Sequence, residues 1–364
     1  MDVKQISATI QMSVSLETRI KGLIKTDGPI DVATYMQLCL SDPHSGYYTT
    51  RKPIGQKGDF TTAPEISQLF GEMIGIWIID TWQKLGSPNP FSLIEAGPGR
   101  GTLMADCLRT IEKLSAPCAL ALHVHLIEIS GTLKAMQQET LSGFDGPLFW
   151  HSTIDEIEPQ PFILIGNEFL DALPIHQYQF QDGKWAERAI GLSEDNTLAW
   201  GLIPTRFQSP LTPKEGDIFE ICVEAQKFMS TLCERCASEK GATLLIDYGH
   251  LKSGFGDTFQ AMKNHHYSDP LEAPGSADLT AHVDFKTLAN IALDKNLECH
   301  STTQGAFLLA MGLLERAGAL GAGLDVEAQE KIQSDVERLA ARDKMGDLFK
   351  VMTLSTSGIT PHGF

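Results

Sequence analysis

The chain has 364 residues, a formal net charge of −17, and 42% hydrophobic and 21% charged residues. This composition is ordinary for a globular protein with a sizeable core, and so acidic a surface excludes a general nucleic-acid binder because it repels phosphate groups. The seven cysteines have no framework spacing, which indicates a reducing compartment. With no signal, transit or membrane-spanning pattern, we expect a bacterial cytoplasmic protein that does not insert into membranes.

The N-terminal quarter of the sequence predicts helices joined by loops. Two short helices are expected on either side of Asp27-Gly28-Pro29, the second capped by Asp31. Residues 41–62 have the glycines and prolines of a loop, and a helix is predicted from Ala63 to Leu85 with Pro64 in its first turn. We expect residues 1–88 to form a helical cap that also covers a bound cofactor.

Short apolar runs alternate with helical segments in the rest of the chain, residues 89–364. This alternation indicates an α/β fold, with a Rossmann-like, seven-stranded, mostly parallel sheet between two layers of helices. The predicted strands are residues 91–95, 123–128, 149–151, 161–165 and 242–246, with 299–303 and 350–354 as a late pair. Two segments interrupt the pattern on the side expected to bind substrate, at about 177–215 and 249–285, the first beginning with a hairpin around Asp182-Gly183.

A glycine-rich turn follows the first of these strands and precedes a helix predicted from Thr102 to Leu114. It reads Glu95-Ala96-Gly97-Pro98-Gly99-Arg100-Gly101-Thr102. Glycines at such a turn let the chain bend tightly and let a ligand approach the backbone. The dinucleotide pattern needs a glycine at position 102, where this chain has Thr, so the turn favours the E-x-G-x-G-x-G fingerprint of class I methyltransferases over a dehydrogenase.

An acid ends the next strand at Glu128, where a carboxylate can accept hydrogen bonds from both ribose hydroxyls of an adenosine. Trp150 and His151 follow the third strand and are candidates for contacts near the adenine, although an aromatic residue there is as often part of the core. Glu95, Gly97, Gly99, Gly101, Thr102 and Glu128 are therefore predicted to bind S-adenosylmethionine, whose transfer chemistry depends mainly on positioning.

Polar residues follow the fourth strand in the segment Asn167-Glu168-Phe169-Leu170-Asp171. Glu168 and Asp171 could hold a guanidinium group by bidentate hydrogen bonds and take the proton that methylation releases. The alternative is structural, with Asn167 or Asp171 capping a helix that begins there. We predict that Asn167 contacts the cofactor and that the two acids are catalytic.

Further polar residues lie at the ends of later strands. Asp247 and Tyr248 end the fifth strand, and Asp278 and His282 close the second interrupting segment; we predict that these four contact the substrate. We assign no metal: His265-His266 has no partner at ligand spacing, and Cys233 and Cys236 fall on a helix without a second pair. The sequence also has no G-x-S-x-G element of a serine hydrolase.

Five motifs in order resemble the MidA-type family, to which the mitochondrial protein arginine methyltransferase of respiratory complex I assembly belongs. They are residues 58–67 (GDFTTAPEIS), 95–103 (EAGPGRGTL), 167–174 (NEFLDALP), 246–249 (IDYG) and 277–285 (ADLTAHVDF). The resemblance spans roughly Leu16 to Leu354 and implies a class I methyltransferase core with S-adenosylmethionine at Gly97, Gly99 and Gly101.

The same resemblance implies an acceptor and further site residues. It implies symmetric dimethylation of an arginine in the 49-kDa-type subunit of complex I, with Glu168 and Asp171 facing that arginine. It also implies that residues 58–67, with Thr61 and Pro64, lie over the cofactor. A small-molecule methyltransferase and a non-catalytic assembly chaperone with the same fold remain alternatives. The oligomeric state, the target arginine and the number of methyl groups are left open.

Overall fold

The computed structural model describes residues 14–50, 62–295 and 297–364, so Thr61 lies outside the described residues. Helices and strands alternate along most of the chain. The helices are α1 (Leu16–Asp27), α2 (Val32–Ser41), α3 (Tyr47–Thr50), α4 (Ala63–Ile66), α5 (Gln68–Lys84), α6 (Thr102–Leu114), α7 (Ala116–Ala121), α8 (Gly131–Thr140), α9 (Val223–Glu239), α10 (Phe285–Leu293), α11 (Gln304–Ala310), α12 (Leu313–Gly321) and α13 (Val326–Ala340). The strands are β1 (Ile30–Asp31), β2 (Phe91–Ala96), β3 (Leu122–Ile127), β4 (Leu148–His151), β5 (Phe162–Asn167), β6 (His176–Gln181), β7 (Lys184–Leu192), β8 (Leu198–Pro204), β9 (Ile218–Ile221), β10 (Gly241–His250), β11 (Gln260–Lys263), β12 (His266–Ser268), β13 (Asp278–Thr280), β14 (Val283–Asp284), β15 (Glu298–Thr303) and β16 (Phe349–Ser355).

The central sheet has the strand order β15-β16-β10-β5-β2-β3-β4, with the short β14 beside the end of β10. Five neighbouring strands of this sheet pair in parallel, in the order β10, β5, β2, β3 and β4. Strand β16 is antiparallel to both of its neighbours, β15 and β10. All residues of β2 and β5 are buried, as expected for parallel strands covered on both faces. The predicted mostly parallel sheet of seven strands is confirmed, including the late antiparallel pair.

Helices cover both faces of this sheet. On one face α5 packs along α6, because glycines on α5 allow the two helices to approach closely: a β-carbon on Gly71 would lie 2.4 Å from that of Asp106, and one on Gly75 would lie 2.8 Å from that of Thr110. On the other face α9 and α10 bury an apolar cluster that includes Cys233 and Cys236. Both cysteines are free and belong to the core, as the structural interpretation predicted.

The interrupting segments form two smaller sheets. One has the order β1-β7-β6-β9, with β8 on the outer side of β7, and contains the predicted hairpin at Asp182-Gly183; the other has the order β12-β11-β13. Helices α1 and α2 pack with residues of both sheets in one apolar cluster. The N-terminal helices and the two insertions therefore form a continuous layer, and the boundary at residue 88 remains a prediction.

Two local expectations were wrong. The helix predicted from Ala63 to Leu85 is interrupted at Ser67, whose backbone is extended (φ −156°, ψ 138°) and whose hydroxyl accepts a hydrogen bond from the amide of Leu69. No helix begins after β5 in the described chain, because residues 168–175 turn into β6 instead. Asn167 and Asp171 are therefore not helix caps. Among the helices of the described residues, none combines the length and apolar character needed to cross a membrane.

Candidate active site

The glycine-rich turn lies where the chain order of the sheet reverses, between β2 and β5, which is the usual ligand crevice of an open parallel sheet. Gly97, Gly99 and Gly101 have positive φ angles of 66°, 53° and 83°, a region that side chains other than glycine's rarely adopt. A β-carbon on Gly97 would also lie 2.9 Å from the ring of Phe169. The turn therefore depends on glycine both for its backbone and for its contact with the loop after β5.

Two buried oxygens on this crevice have no hydrogen-bond partner among the described residues: Oε2 of Glu95 and Oδ1 of Asn167. Burial raises the pKa of Glu95 to about 8. Both residues line a small cavity with the glycine turn, Thr62, Pro64 and Glu168. Unpaired buried acceptors are costly, and S-adenosylmethionine offers ammonium and hydroxyl donors, so the donor set fits that cofactor. The cavity itself has about 50 Å³, which is room for part of that cofactor.

Helix α4 is joined to the glycine turn by hydrogen bonds of Glu65. The carboxylate of Glu65 accepts hydrogen bonds from the Thr102 hydroxyl at 2.6 Å and from the guanidinium of Arg100 at 3.1 Å. Thr102 was predicted to bind the cofactor, and its hydroxyl is engaged by Glu65. Glu65 and Arg100 were not predicted as site residues, although they lie within the motifs 58–67 and 95–103.

The end of the crevice at Glu128 is organised by Gln137, a fully buried residue of α8. Its side-chain nitrogen donates to the carbonyl of Gly99 at 2.8 Å and to the carboxylate of Glu128 at 3.1 Å, and its oxygen accepts from the indole of Trp150 at 2.9 Å. Burial raises the pKa of Glu128. Trp150 thus contacts the crevice indirectly, by holding the side chain of Gln137. Gln137 was not predicted, because it belongs to none of the recognised motifs.

Glu168 and Asp171 lie on the loop after β5. Glu168 has a positive φ of 51°, a strained backbone for a residue other than glycine. Its Oε1 accepts hydrogen bonds from the backbone amide of Ala63 and from the side-chain amide of Asn167, both at 3.2 Å. Burial, then the charge of Asp171, raises the pKa of Glu168 to about 8. Burial raises the pKa of Asp171 to about 6, and a hydrogen bond from Tyr248 opposes this shift.

Asp247 shapes this loop. Its Oδ2 accepts hydrogen bonds from three successive amides, those of residues 169–171, at 2.9 to 3.2 Å, and its Oδ1 accepts from the amide of Tyr248 at 3.0 Å. Burial and the neighbouring carboxyls of Asp171 and Glu168 raise its pKa, against the effect of these amides. Asp247 is 1% exposed, so the geometry favours a positioning role over the predicted contact with substrate.

The N-terminal layer completes the acidic site. Tyr48, on α3, donates a hydrogen bond to the carboxylate of Asp278 at 2.8 Å, and burial followed by the charges of Asp278 and Asp171 raises the pKa of Tyr48. The Tyr48 hydroxyl therefore lies close to both Asp278 and Asp171, and the contact of Asp278 with substrate stays a prediction. Tyr48 was missed because it is distant in sequence and belongs to no quoted motif.

The fourth predicted substrate residue, His282, faces a different cavity. This cavity of about 620 Å³ is of the size that binds small ligands or side chains, and its walls include His282, Leu170 and the aromatic cluster of Phe207, Phe219 and Phe255. Leu170 precedes Asp171, so the cavity adjoins the acidic loop. Burial lowers the pKa of His282, and the charges of His250 and Lys350 lower it further.

Comparison with known proteins agrees with this geometry. Residues 73–303 match the model of a family described as S-adenosyl-L-methionine-dependent methyltransferases. The mitochondrial protein arginine methyltransferase NDUFAF7 homolog of Drosophila melanogaster is 37% identical over 384 residues, covering 96% of this chain and 86% of that protein. Human mitochondrial protein arginine methyltransferase NDUFAF7 is 34% identical over 367 residues, covering 91% of this chain and 81% of that protein.

A solved structure shows the same fold over nearly the whole chain. It is a protein from Burkholderia thailandensis bound to S-adenosyl-homocysteine, 25% identical, with a TM-score of 0.85 and coverage of 96% of this chain and 93% of that one. The predicted fold class, methyl donor and enzyme class are confirmed. The chain belongs to the MidA-type family of S-adenosylmethionine-dependent methyltransferases.

Proposed function

We propose that this protein methylates the guanidinium group of an arginine in another protein. The observation that carries this proposal is the group of buried carboxyls, Glu168, Asp171 and Asp278, beside the cofactor crevice. Carboxylates bind guanidinium in a bidentate manner, and a buried site with an excess of acids selects a cationic acceptor. The named relatives are protein arginine methyltransferases, which supports the same acceptor.

The roles proposed for the cofactor-binding residues follow from their positions. S-adenosylmethionine supplies a methyl group on a sulfonium centre. Glu95 and Asn167 would accept hydrogen bonds from its amino-acid end, because their free oxygens line the cavity. Glu128 would accept from ribose, and the backbone of the glycine turn, Gly97 to Gly101, would leave room for the adenosine. Pro64 would close the crevice from above, with Thr61 as the further predicted contact.

Glu168 is the proposed proton acceptor. Methylation of an arginine requires one nitrogen of the guanidinium to lose a proton, and a carboxylate within hydrogen-bond reach can take it. Oε1 of Glu168 already accepts two N–H groups, so Oε2 is the oxygen left for this proton. The positive charge of a bound guanidinium would lower the pKa of Glu168 from about 8 and make its carboxylate available. Asp171 would hold the other side of the guanidinium.

The finer parts of the proposal concern the acceptor and the location. We take the complex I subunit named by resemblance as the candidate acceptor, with symmetric dimethylation of one arginine. A cytoplasmic location belongs to the same proposal and is supported by seven free cysteines, which persist in reducing compartments. A small molecule is the second candidate acceptor, because the partly open aromatic cavity of about 620 Å³ beside His282 has the size of cavities that bind small ligands.

The test is methyl transfer from isotope-labelled S-adenosylmethionine to the purified complex I subunit of the same organism, followed by mass spectrometry of its peptides. We expect label on one arginine with the wild-type protein and none with Glu168→Gln. Label on lysine, or transfer only to small molecules of a cell extract, would contradict the protein-arginine assignment. Cofactor binding without transfer to any acceptor would favour the non-catalytic chaperone.

A further inference from the structure

Three potential metal ligands that do not line the cofactor crevice converge at the junction of the N-terminal layer and the first insertion. They are Asp31 of β1, His176 of β6 and Glu187 of β7, and one ligand atom from each lies within 4.8 Å of the other two. Nδ1 of His176 is 2.7 Å from Oε1 of Glu187. No motif of the sequence analysis includes these residues, and the proposed methyl transfer does not use them.

The strand register explains why these side chains meet. Asp31 pairs with Ala189 across β1 and β7, and Tyr178 pairs with Glu187 across β6 and β7. The other side of β7 pairs with β8, at both Glu187 and Ala189, so β1 continues the line of β6 along one side of β7. Asp31, opposite Ala189, points to the same face as Glu187, because side chains alternate along a strand. His176 lies two residues before Tyr178, the partner of Glu187, and therefore points to that face as well.

The charge of the cluster is not balanced by protein groups. Among the described residues, the imidazole of His176 lies within 4 Å of the Glu187 carboxylate but not of the Asp31 carboxylate. In the described part of the chain, no lysine or arginine nitrogen lies within 4 Å of the carboxylates of Asp31 or Glu187. Oδ1 of Asp31 accepts the amide of Thr34 at the start of α2, which leaves Oδ2 free. A bound cation would remove the repulsion between the two acids.

We propose that Asp31, His176 and Glu187 bind one divalent transition-metal ion of the Zn²⁺ type. One imidazole nitrogen and two carboxylate oxygens are a donor set that suits this ion, with water completing a four-coordinate site at ligand distances of about 2.0–2.2 Å. His176 and Glu187 have side chains that are 27% and 16% exposed, so the ion can enter from solvent and is still sheltered. The site fastens β1 and the start of α2 to the β6–β7 hairpin, and its role is structural.

The test uses tag-free protein stripped with EDTA, to which Zn²⁺, Mn²⁺, Ca²⁺ or Mg²⁺ is added separately. Since a ligand that binds only the folded state stabilises it by mass action, we expect Zn²⁺ to raise the unfolding temperature by about 5 °C, with one zinc per chain by elemental analysis. The shift should disappear in His176→Ala, Glu187→Gln and Asp31→Asn. Asn caps a helix as well as Asp does, so the last variant removes a ligand and keeps the cap.

His300→Ala is the matched control. Nε2 of His300 lies 3.5 Å from Oε2 of Glu298 in a partly exposed pair that has no third potential ligand among the described residues. It should keep the full zinc-dependent shift. The measured quantity is the difference with and without metal, so the loss of the His176–Glu187 ion pair alone does not imitate the expected result. The proposal is overturned if wild-type protein shows no shift, if the shift survives in His176→Ala, or if Ca²⁺ or Mg²⁺ acts but Zn²⁺ does not. Cobalt substitution gives a further check, because binding through cysteine thiolates would show a charge-transfer band and would also contradict the site.

Discussion

The side-chain amide of Gln137 donates a hydrogen bond to the carbonyl of Gly99 at 2.8 Å, and so ties α8 to the glycine-rich turn. The same nitrogen reaches the carboxylate of Glu128 at 3.1 Å. One buried side chain therefore fixes the relative positions of the backbone proposed to face the adenosine and the acid proposed to bind its ribose. This arrangement pre-forms the crevice before the cofactor arrives, which lowers the cost of binding.

We expect Gln137→Leu to weaken S-adenosylmethionine binding about tenfold or more. Leucine has a similar size but no polar atoms, so the carbonyl of Gly99 and the indole of Trp150 lose their partner, at a cost of about 1–3 kcal/mol for each buried group left unpaired. Calorimetric titration of the cofactor measures the effect. Gln138→Leu, at the exposed neighbouring position, is the control and should bind normally. Equal affinities in the two variants would refute the positioning role of Gln137.

We expect Gly99→Val to abolish detectable cofactor binding. Gly99 has a φ of 53°, which a β-branched residue strongly disfavours, and its side chain would fill the space next to the proposed adenosine site. Titration of S-adenosyl-homocysteine into a variant that circular dichroism shows to be folded is the measurement. Gly143→Val is the control, since Gly143 is exposed and no atom lies within 4 Å of an added β-carbon. Unchanged affinity of folded Gly99→Val would remove the turn from the cofactor site.

The sequence was informative where short-range patterns determine structure. The apolar runs of β2 and β5 and the glycines between β2 and α6 predicted the central sheet and the cofactor turn, because both patterns act within a few residues. The structural alternative considered after β5, with Asn167 or Asp171 as a helix cap, was wrong. The amides of residues 169–171 do converge as at a helix start, but their acceptor is Asp247, far away in the chain. No local pattern distinguishes these two acceptors.

Long-range contacts account for the other omissions. Tyr48 reaches Asp278 across 230 positions of the sequence, and Asp31, His176 and Glu187 meet only because three strands pair in a particular register. Tyr48, His176 and Glu187 are unremarkable in their own segments, and Asp31 was recognised only as a helix cap. A single sequence therefore gives no signal for these contacts. Glu65 could have been predicted, because it is a polar residue within the motif at residues 58–67, which the family resemblance already placed over the cofactor.

We expect Glu168→Gln to bind S-adenosylmethionine with nearly wild-type affinity and to lose turnover by roughly 100-fold or more, the usual contribution of a general base. The amide keeps the shape of the side chain and its Oε1 contacts but cannot take a proton. Single-turnover methyl transfer and calorimetry on the same sample separate the two effects. Glu139→Gln, an exposed change on α8, should be fully active. Retained turnover in Glu168→Gln would move the proton acceptor to another residue, with Asp171 as the next candidate.

We also expect the stability of the cofactor-free protein to fall as pH rises from about 4.5 to about 8, in part because of Glu95. Burial raises the pKa of Glu95 from 4.5 to about 8, so the folded state holds a proton that the unfolded state releases in this range. This contribution to stability is fully present below pH 4.5 and is lost as pH rises through the folded pKa. Glu95→Gln should therefore show a smaller decrease in unfolding temperature between pH 6 and about pH 8.5 than the wild type.

The decrease should become smaller but not vanish in Glu95→Gln, because Glu168, Asp171 and Asp247 also have raised pKa values and remain in the variant. Thermal unfolding monitored by circular dichroism at the two pH values is the measurement, and Glu139→Gln again serves as the exposed control. An identical decrease in Glu95→Gln and the wild type would mean that Glu95 is already ionised in the folded protein. In that case the buried carboxylate of Glu95 would carry its charge before the cofactor arrives, and the fall in stability with pH would come from the other buried acids.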